Sequence, residues 1–109
     1  SLIDIILKAE GDVKVDLHHT IEDCGYVLGN SIKKALGDKR GINRYGFYYT
    51  PMDECLSRSA VDFSGRSELV WDVKLGLKKI GSMDTELFEE FFKAFSKSSE
   101  INLHIKNLL

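Results

Sequence analysis

The residues from Asp16 to Asp23 read Asp-Leu-His-His-Thr-Ile-Glu-Asp, which sets two imidazoles a few residues ahead of two carboxylates. If this stretch is helical or entering a helix, His18 and Glu22 stand at i, i+4 and His19 and Glu22 at i, i+3, so their heads can converge. Neutral imidazole nitrogens and a carboxylate oxygen at that spacing are ligands for Mn, Zn, Fe or Ni. The same residues also suit a solvated helix start, with Thr20 as N-cap and Glu22 and Asp23 favoured by the helix dipole. A second group carries the opposite charge. Asp38 to Arg44 is a loop with the cations Lys39, Arg40 and Arg44, punctuated by Gly37 and Gly41, and Arg66 follows a Ser64-Gly65 turn. Such a loop is either simply solvated or fit to grip a phosphate, because arginine offers a planar fork of donors and stays charged.

These groups need elements to hold them. Leu2 to Lys8 is β-branched and apolar, and a Glu10-Gly11-Asp12 turn leads to the alternating Val13, Val15 and Leu17, so an antiparallel pair is expected. From Thr20 the apolar positions Ile21, Cys24, Val27, Leu28, Ile32 and Ala35 keep a helical period that Gly37 stops. Gly25 and Gly29 inside that helix either permit close packing or are tolerated on its surface. Tyr45 to Tyr49 reads as a strand that Pro51 ends or marks as an edge, Leu56 to Phe63 as a second, and the alternating Leu69 to Leu77 as a third. Asp84 or Thr85 caps a second helix whose Leu87, Phe88, Phe91, Phe92 and Phe95 form one face. Ile101, Leu103 and Ile105 line one side of a last strand, with His104 on the other. The order of elements predicts an α+β fold, helices on one face of antiparallel sheets.

Composition narrows the classes of function. With 109 residues there is room for one domain, and fifteen basic against seventeen acidic residues leave no surplus positive field for nucleic acid. No apolar run approaches a membrane span, and two cysteines read as reduced thiols, so a cytoplasmic protein is expected. Both ends look cut, one in strand-like sequence and one directly after it.

His18-His19-Thr20-Ile21-Glu22-Asp23 resembles the first HHxxE metal motif of the imidazoleglycerol-phosphate dehydratases of histidine biosynthesis. Gly37 to Gly46, Pro51-Met52-Asp53-Glu54 and Asp62-Phe63-Ser64-Gly65-Arg66 resemble that family's later signatures, in its order and spacing. The resemblance implies a ribosomal protein S5 domain 2-like fold of duplicated half-domains, with residues 1–40 the back part of one repeat and 41–109 the front part of the next. An echo between Ile3–Lys8 and Ile101–Lys106 fits such a duplication, and places a second HHxxE beyond Leu109. It also implies a hydro-lyase with two Mn²⁺ per site, His18 on one ion and His19 with Glu22 on the other. Glu22 and Asp53 would serve as catalytic or substrate-facing carboxylates, and Arg44 and Arg66 would hold the substrate phosphate. Where many members carry a ligand histidine in an EHFF sequence, this chain has Glu90. At about 100° per residue Glu90 lies on the flank of the second helix's apolar stripe, where a carboxylate can still ligate Mn. The implied partners are a phosphorylated imidazole substrate and further copies, trimers that metal joins into a 24-mer. On its own the chain is expected to be inactive. Two other classes stay open: a non-catalytic metal-binding scaffold of the same fold, and an S5-like RNA-binding domain, which the lack of a basic-aromatic surface disfavours.

Overall fold

The apolar period that runs from Ile21 to Ala35 is realised as helix α1, Leu17–Leu36, in a computed structural model that describes residues 3–11 and 17–109. The helix begins ahead of Thr20, which therefore lies inside it and is not its N-cap; His18 bonds across one turn to Glu22 and so belongs to the first turn. Gly37, at φ +55°, ends it as expected. The strand predicted over Leu2 to Lys8 does not form in residues 3–11. No strand among the described residues lies beside this apolar segment, which runs back along α1, Leu7 to Gly11 beside Thr20 to Val27 and Ile3 to Leu7 beside Val27 to Leu36. Its expected partner, Val13 to Leu17, lies outside the described residues as far as Asp16.

After α1 come strands β1 (Tyr45–Met52), β2 (Cys55–Asp62) and β3 (Glu68–Asp72), a two-residue hairpin β4 (Lys79–Ile80) and β5 (Met83–Asp84), helix α2 (Glu86–Ser99), and β6 (Asn102–Asn107). The main sheet has the order β1-β2-β6-β3. Its β1–β2 and β2–β6 pairs are antiparallel, but β3 and β6 are parallel, which departs from the wholly antiparallel expectation. The physical reason is the connection: α2 returns the chain to the end of the sheet where β3 started, and adjacent strands joined by such a crossover must run the same way. β3 also stops at Asp72, shorter than the alternation to Leu77 suggested. Pro51 lies within β1 at the sheet's edge, where a missing N–H costs no ladder bond.

The buried apolar side chains among the described residues are Leu87 and Ala94 of α2, Ile101 at its exit and Leu103 of β6. The expected aromatic face of α2 is present except at Phe88, which is exposed: Phe91 meets Phe92 edge-on at 5.1 Å, Phe95 stacks on Phe91 at 6.4 Å, and Phe92 packs against Trp71 of β3 at 5.8 Å. Thr85 precedes α2, yet its hydroxyl donates to the carbonyls of Leu77 and Lys78, tying the preceding loop down in place of capping the helix.

The two helices pack through glycine. A Cβ on Gly25 would run into the Phe91 carbonyl, and one on Gly29 into the Phe95 carbonyl and the Ser98 hydroxyl. These approaches step forward together along both chains, so α1 and α2 run in the same direction, and Lys33 of α1 reaches Glu100 just past the end of α2. Of the two readings open for these glycines, close packing is the one realised. Gly25→Ala should therefore destabilise the fold by about 1–3 kcal/mol of overpacking, despite the roughly 1 kcal/mol of helix propensity alanine gains. Denaturant midpoints check this, with Gly46→Ala, whose Cβ would sit a comfortable 3.6 Å from Val61, as the tolerated comparison.

Candidate functional site

The first turn of α1 carries one of the two chemistries. His18 Nε2 lies 3.0 Å from Glu22 Oε2, and both side chains are more than a third exposed. The His19 ring stands edge-on to His18 at 5.8 Å. The His18–Glu22 separation suits a metal as well as a proton: two cis ligands at about 2.1 Å from an octahedral ion are roughly 3 Å apart. The donor set, imidazole with carboxylate, fits Mn²⁺, Zn²⁺, Fe²⁺ or Ni²⁺. Among the described residues, however, no three His, Cys, Asp or Glu side chains gather into a metal cluster. Glu90 of α2 is accordingly not brought into a three-ligand group with His18, His19 and Glu22; it lies half-buried, 3.6 Å from the Lys93 ammonium. His104, on β6, is exposed and faces away from Leu103 and the helices.

The second chemistry is built at the other end of α1. Arg44, just before β1, forms a two-point ion pair with Asp62 at the end of β2, Nε to Oδ1 at 2.6 Å and Nη2 to Oδ2 at 3.1 Å. Its guanidinium also lies over the Tyr45 ring, 5.0 Å from the centroid. The pairing holds the Asp62 carboxyl below the usual carboxylate range, chiefly through the Arg44 hydrogen bonds and charge, with Arg66 and Lys39 adding to it. Arg66 follows a turn in which the Ser64 hydroxyl accepts the Arg66 N–H at 3.1 Å and Gly65 adopts φ +82°. Lys39 reaches the same turn: its Nζ would lie 3.3 Å from a Cβ on Gly65. Arg44 and Arg66, both expected to hold an anion, thus share one neighbourhood, and Lys39 joins them. Arg40 does not; it pairs with Asp38 at 3.2 Å on the exposed side of the loop. Asp62 opens the Asp62-Phe63-Ser64-Gly65-Arg66 signature and Lys39 stands in the basic loop, but residue order alone pairs neither Asp62 with Arg44 nor Lys39 with the Gly65 turn.

Asp53 lies elsewhere. Met52 pairs with Cys55, so Asp53 and Glu54 form the two-residue tip of the β1–β2 hairpin, Asp53 at φ +50° and exposed. Tyr45 and Asp62 pair at the opposite end of that hairpin. Seven strand residues at about 3.3 Å each separate the two ends by roughly 23 Å. His18 and Leu36 are likewise about 27 Å apart along α1, at 1.5 Å per residue. One chain therefore does not bring its imidazoles, Asp53 and the arginine cluster to a single small-molecule site.

Fold and site together define an α+β protein with imidazole and carboxylate side chains at one end of its first helix and a group of cations around Asp62 at the other. The chain belongs to the imidazoleglycerol-phosphate dehydratase family, whose profile matches residues 1–109. It is 54% identical over 105 residues to the imidazoleglycerol-phosphate dehydratase of Cereibacter sphaeroides, covering 96% of this chain and 54% of that protein. With the enzyme of Pelotomaculum thermopropionicum it shares 55% identity over 108 residues, covering 99% of this chain and 55% of the relative. The crystal structure of the Staphylococcus aureus enzyme superposes with a TM-score of 0.82 at 43% identity, over 85% of this chain and 54% of that one. The chain thus spans about half the length of the relatives it matches.

Charge pairing at this end of the fold has a consequence for acid stability. Asp62 beside Arg44 and Glu100 beside Lys33 both titrate below their ordinary values of 3.8 and 4.5. Each depressed carboxyl contributes stability that is complete above its ordinary value and is lost as pH falls through the lower folded one. Denaturant midpoints should hold level from pH 7 to about 5 and then fall. Asp62→Asn with Glu100→Gln should lower the midpoint at pH 7 and flatten the acid limb.

Proposed function

We propose that this chain is the metal- and phosphate-binding part of an imidazoleglycerol-phosphate dehydratase, which removes water from imidazole glycerol phosphate during histidine biosynthesis. The observation that carries the reading is the convergence of Arg44, Arg66 and Lys39 about Asp62, a cation cluster suited to a phosphate, in a chain of this family that also presents His18, His19 and Glu22 on one helical turn. Two divalent ions, Mn²⁺ by donor chemistry, would supply Lewis-acid polarisation of the imidazole. His18 would hold one and His19 with Glu22 the other, with Glu90 of α2 a further ligand and the rest coming from outside this chain or from other copies. Arg44 and Arg66 bind the phosphate and so fix which carbons face the carboxylates. Glu22 and Asp53 would be the carboxylates that accept or return a proton.

The separations within one chain, about 27 Å along α1 and roughly 23 Å along the hairpin, exceed what one small phosphate ester spans. The reading therefore includes sites shared between copies in a homo-oligomer, up to a 24-mer of trimers joined through metal, acting in the cytoplasm. No helix among the described residues is long and apolar enough to cross a membrane. A non-catalytic scaffold is the second reading, favoured by the absence of any three-ligand cluster among those residues.

In the protein that carries this chain, the His18→Ala, His19→Ala double variant should bind Mn²⁺ at least ten-fold more weakly, a loss of about 1.4 kcal/mol or more. Calorimetry with the metal alone checks this, and an unchanged affinity would remove these residues from the ligand set. Shared sites predict complementation. The histidine double variant and an Arg44→Ala, Arg66→Ala double variant, each inactive, should regain dehydratase activity when dissociated with chelator, mixed and reassembled with Mn²⁺. Mixtures as inactive as their parents would sink the sharing of sites between copies.

A further inference from the structure

The family reading gives Arg44 and Arg66 the phosphate but leaves unexplained why a carboxylate sits among them. Asp62 feels the charge of three cations, Arg44, Arg66 and Lys39, and its two oxygens are both taken by Arg44. A carboxylate in an anion site is either a competitor that occupies the anion's place or a strut that fixes the cations around it. The geometry of the pair separates these. A guanidinium carries five N–H donors in one plane. Asp62 takes the Nε–H and one Nη2–H, along one edge, so three donors on the remaining edges stay directed away from it. The Tyr45 ring beneath the guanidinium fixes the plane itself. Arg44 is thus held by an edge and a face before any ligand arrives. Three cations against one carboxylate also leave two positive charges uncompensated around it, while Glu100, the nearby acid that also feels Lys39, is engaged by Lys33.

We propose that Asp62 is the positioning residue of the anion site: it clamps the Nε edge of Arg44 so that the opposite edge, with Arg66 and Lys39, is presented ready-made to a phosphate. This rests on the phosphate reading of Arg44 and Arg66 and extends it to a residue that touches no substrate. Freezing a long side chain in advance removes an ordering cost that binding would otherwise meet, so the clamp acts on affinity and not on the chemical step. Lys39 is delivered by a backbone held at φ +64°, with its N–H bonded to the Leu36 carbonyl at 2.9 Å, so the third cation is set by the loop and does not depend on Asp62.

The test is a double-mutant cycle in the protein that carries this chain, reading KM and kcat for imidazole glycerol phosphate, competition by inorganic phosphate, and Mn²⁺ affinity. Asp62→Asn should raise KM and the inhibition constant of phosphate roughly three- to ten-fold, the size of a hydrogen-bond contribution, with kcat and Mn²⁺ affinity unchanged. On an Arg44→Ala background the same substitution should add nothing, because a residue acting through Arg44 is silent once Arg44 is gone. Asp62→Glu, which keeps the charge, should recover part of the loss. A fall in KM would make Asp62 a competitor and overturn the proposal. So would an equal further loss on the Arg44→Ala background, or a loss of kcat and Mn²⁺ affinity together, which marks a general structural defect. The phosphate reading has its own readout: if Arg44→Ala and Arg66→Ala leave KM unchanged, that reading falls first, whatever Asp62→Asn does.

Discussion

Everything at both ends of the fold is referred to one contact, the approach of α1 to α2 across the missing side chains of Gly25 and Gly29. Backbone carbonyls of Phe91 and Phe95 occupy the space a Cβ would need. Because backbone cannot swing aside as a side chain can, the contact fixes both spacing and register. Ser98 and Ser99 make the matching surface on α2, small and buried, with their hydroxyls returned to the Phe95 carbonyl of their own helix. With the register set, the first turn of α1 lies toward the start of α2, where Glu90 is carried, and the last turns of α1 lie toward Glu100 and the anion cluster. The register thus fixes which chemistry sits at which end.

Charge then sorts the two ends. At the start of α1 an imidazole and a carboxylate face each other in solvent, a pair that a divalent ion can enter without displacing buried structure. At the far end cations predominate, and the carboxylate among them is consumed by a single arginine. The cluster sits where the loop after α1, the start of β1 and the turn after β2 meet, joined by the bond from the Phe63 N–H to the Arg44 carbonyl. Three separate segments contribute, so the positive field exists only in the folded chain.

Much of this could be read from residue order, and the pattern of what could not is physical. Helical and strand periods are local, so α1, α2, β1, β2 and β6 were legible, as were Gly37 as a stop and Pro51 as an edge marker. The parallel β3–β6 pair was not, since alternation tells which residues face the core and says nothing of which neighbour a strand takes. The apolar run after Ile3 carried a strand's composition, yet among the described residues no strand pairs with it, since composition does not supply a partner. In the site, His18 with Glu22 was visible because helical spacing puts i and i+4 together. Arg44 with Asp62 was not, because eighteen residues and a hairpin separate them. Arg44 and Arg66 were marked by the family's motifs, but the residue that holds Arg44 in place is visible only once β1 and β2 are paired.

The separation of the two chemistries constrains how such a protein can work. A helix is a ruler: eighteen residues between His18 and Leu36 place the imidazoles about 27 Å from the end of α1 that faces the cations. A substrate that carries an imidazole at one end and a phosphate a few bonds away cannot bridge that distance, and closing it by bending α1 would break the glycine contact that sets the fold. Under the proposed reading, a single molecule meets both only where imidazoles from another copy, or from residues outside this chain, come beside these arginines. The Arg44–Asp62 pair is formed within this chain, whereas among the described residues the imidazole turn gathers no group of three possible metal ligands. Under the proposed reading, phosphate recognition is therefore a property of the folded chain, and metal binding is a property of the assembly.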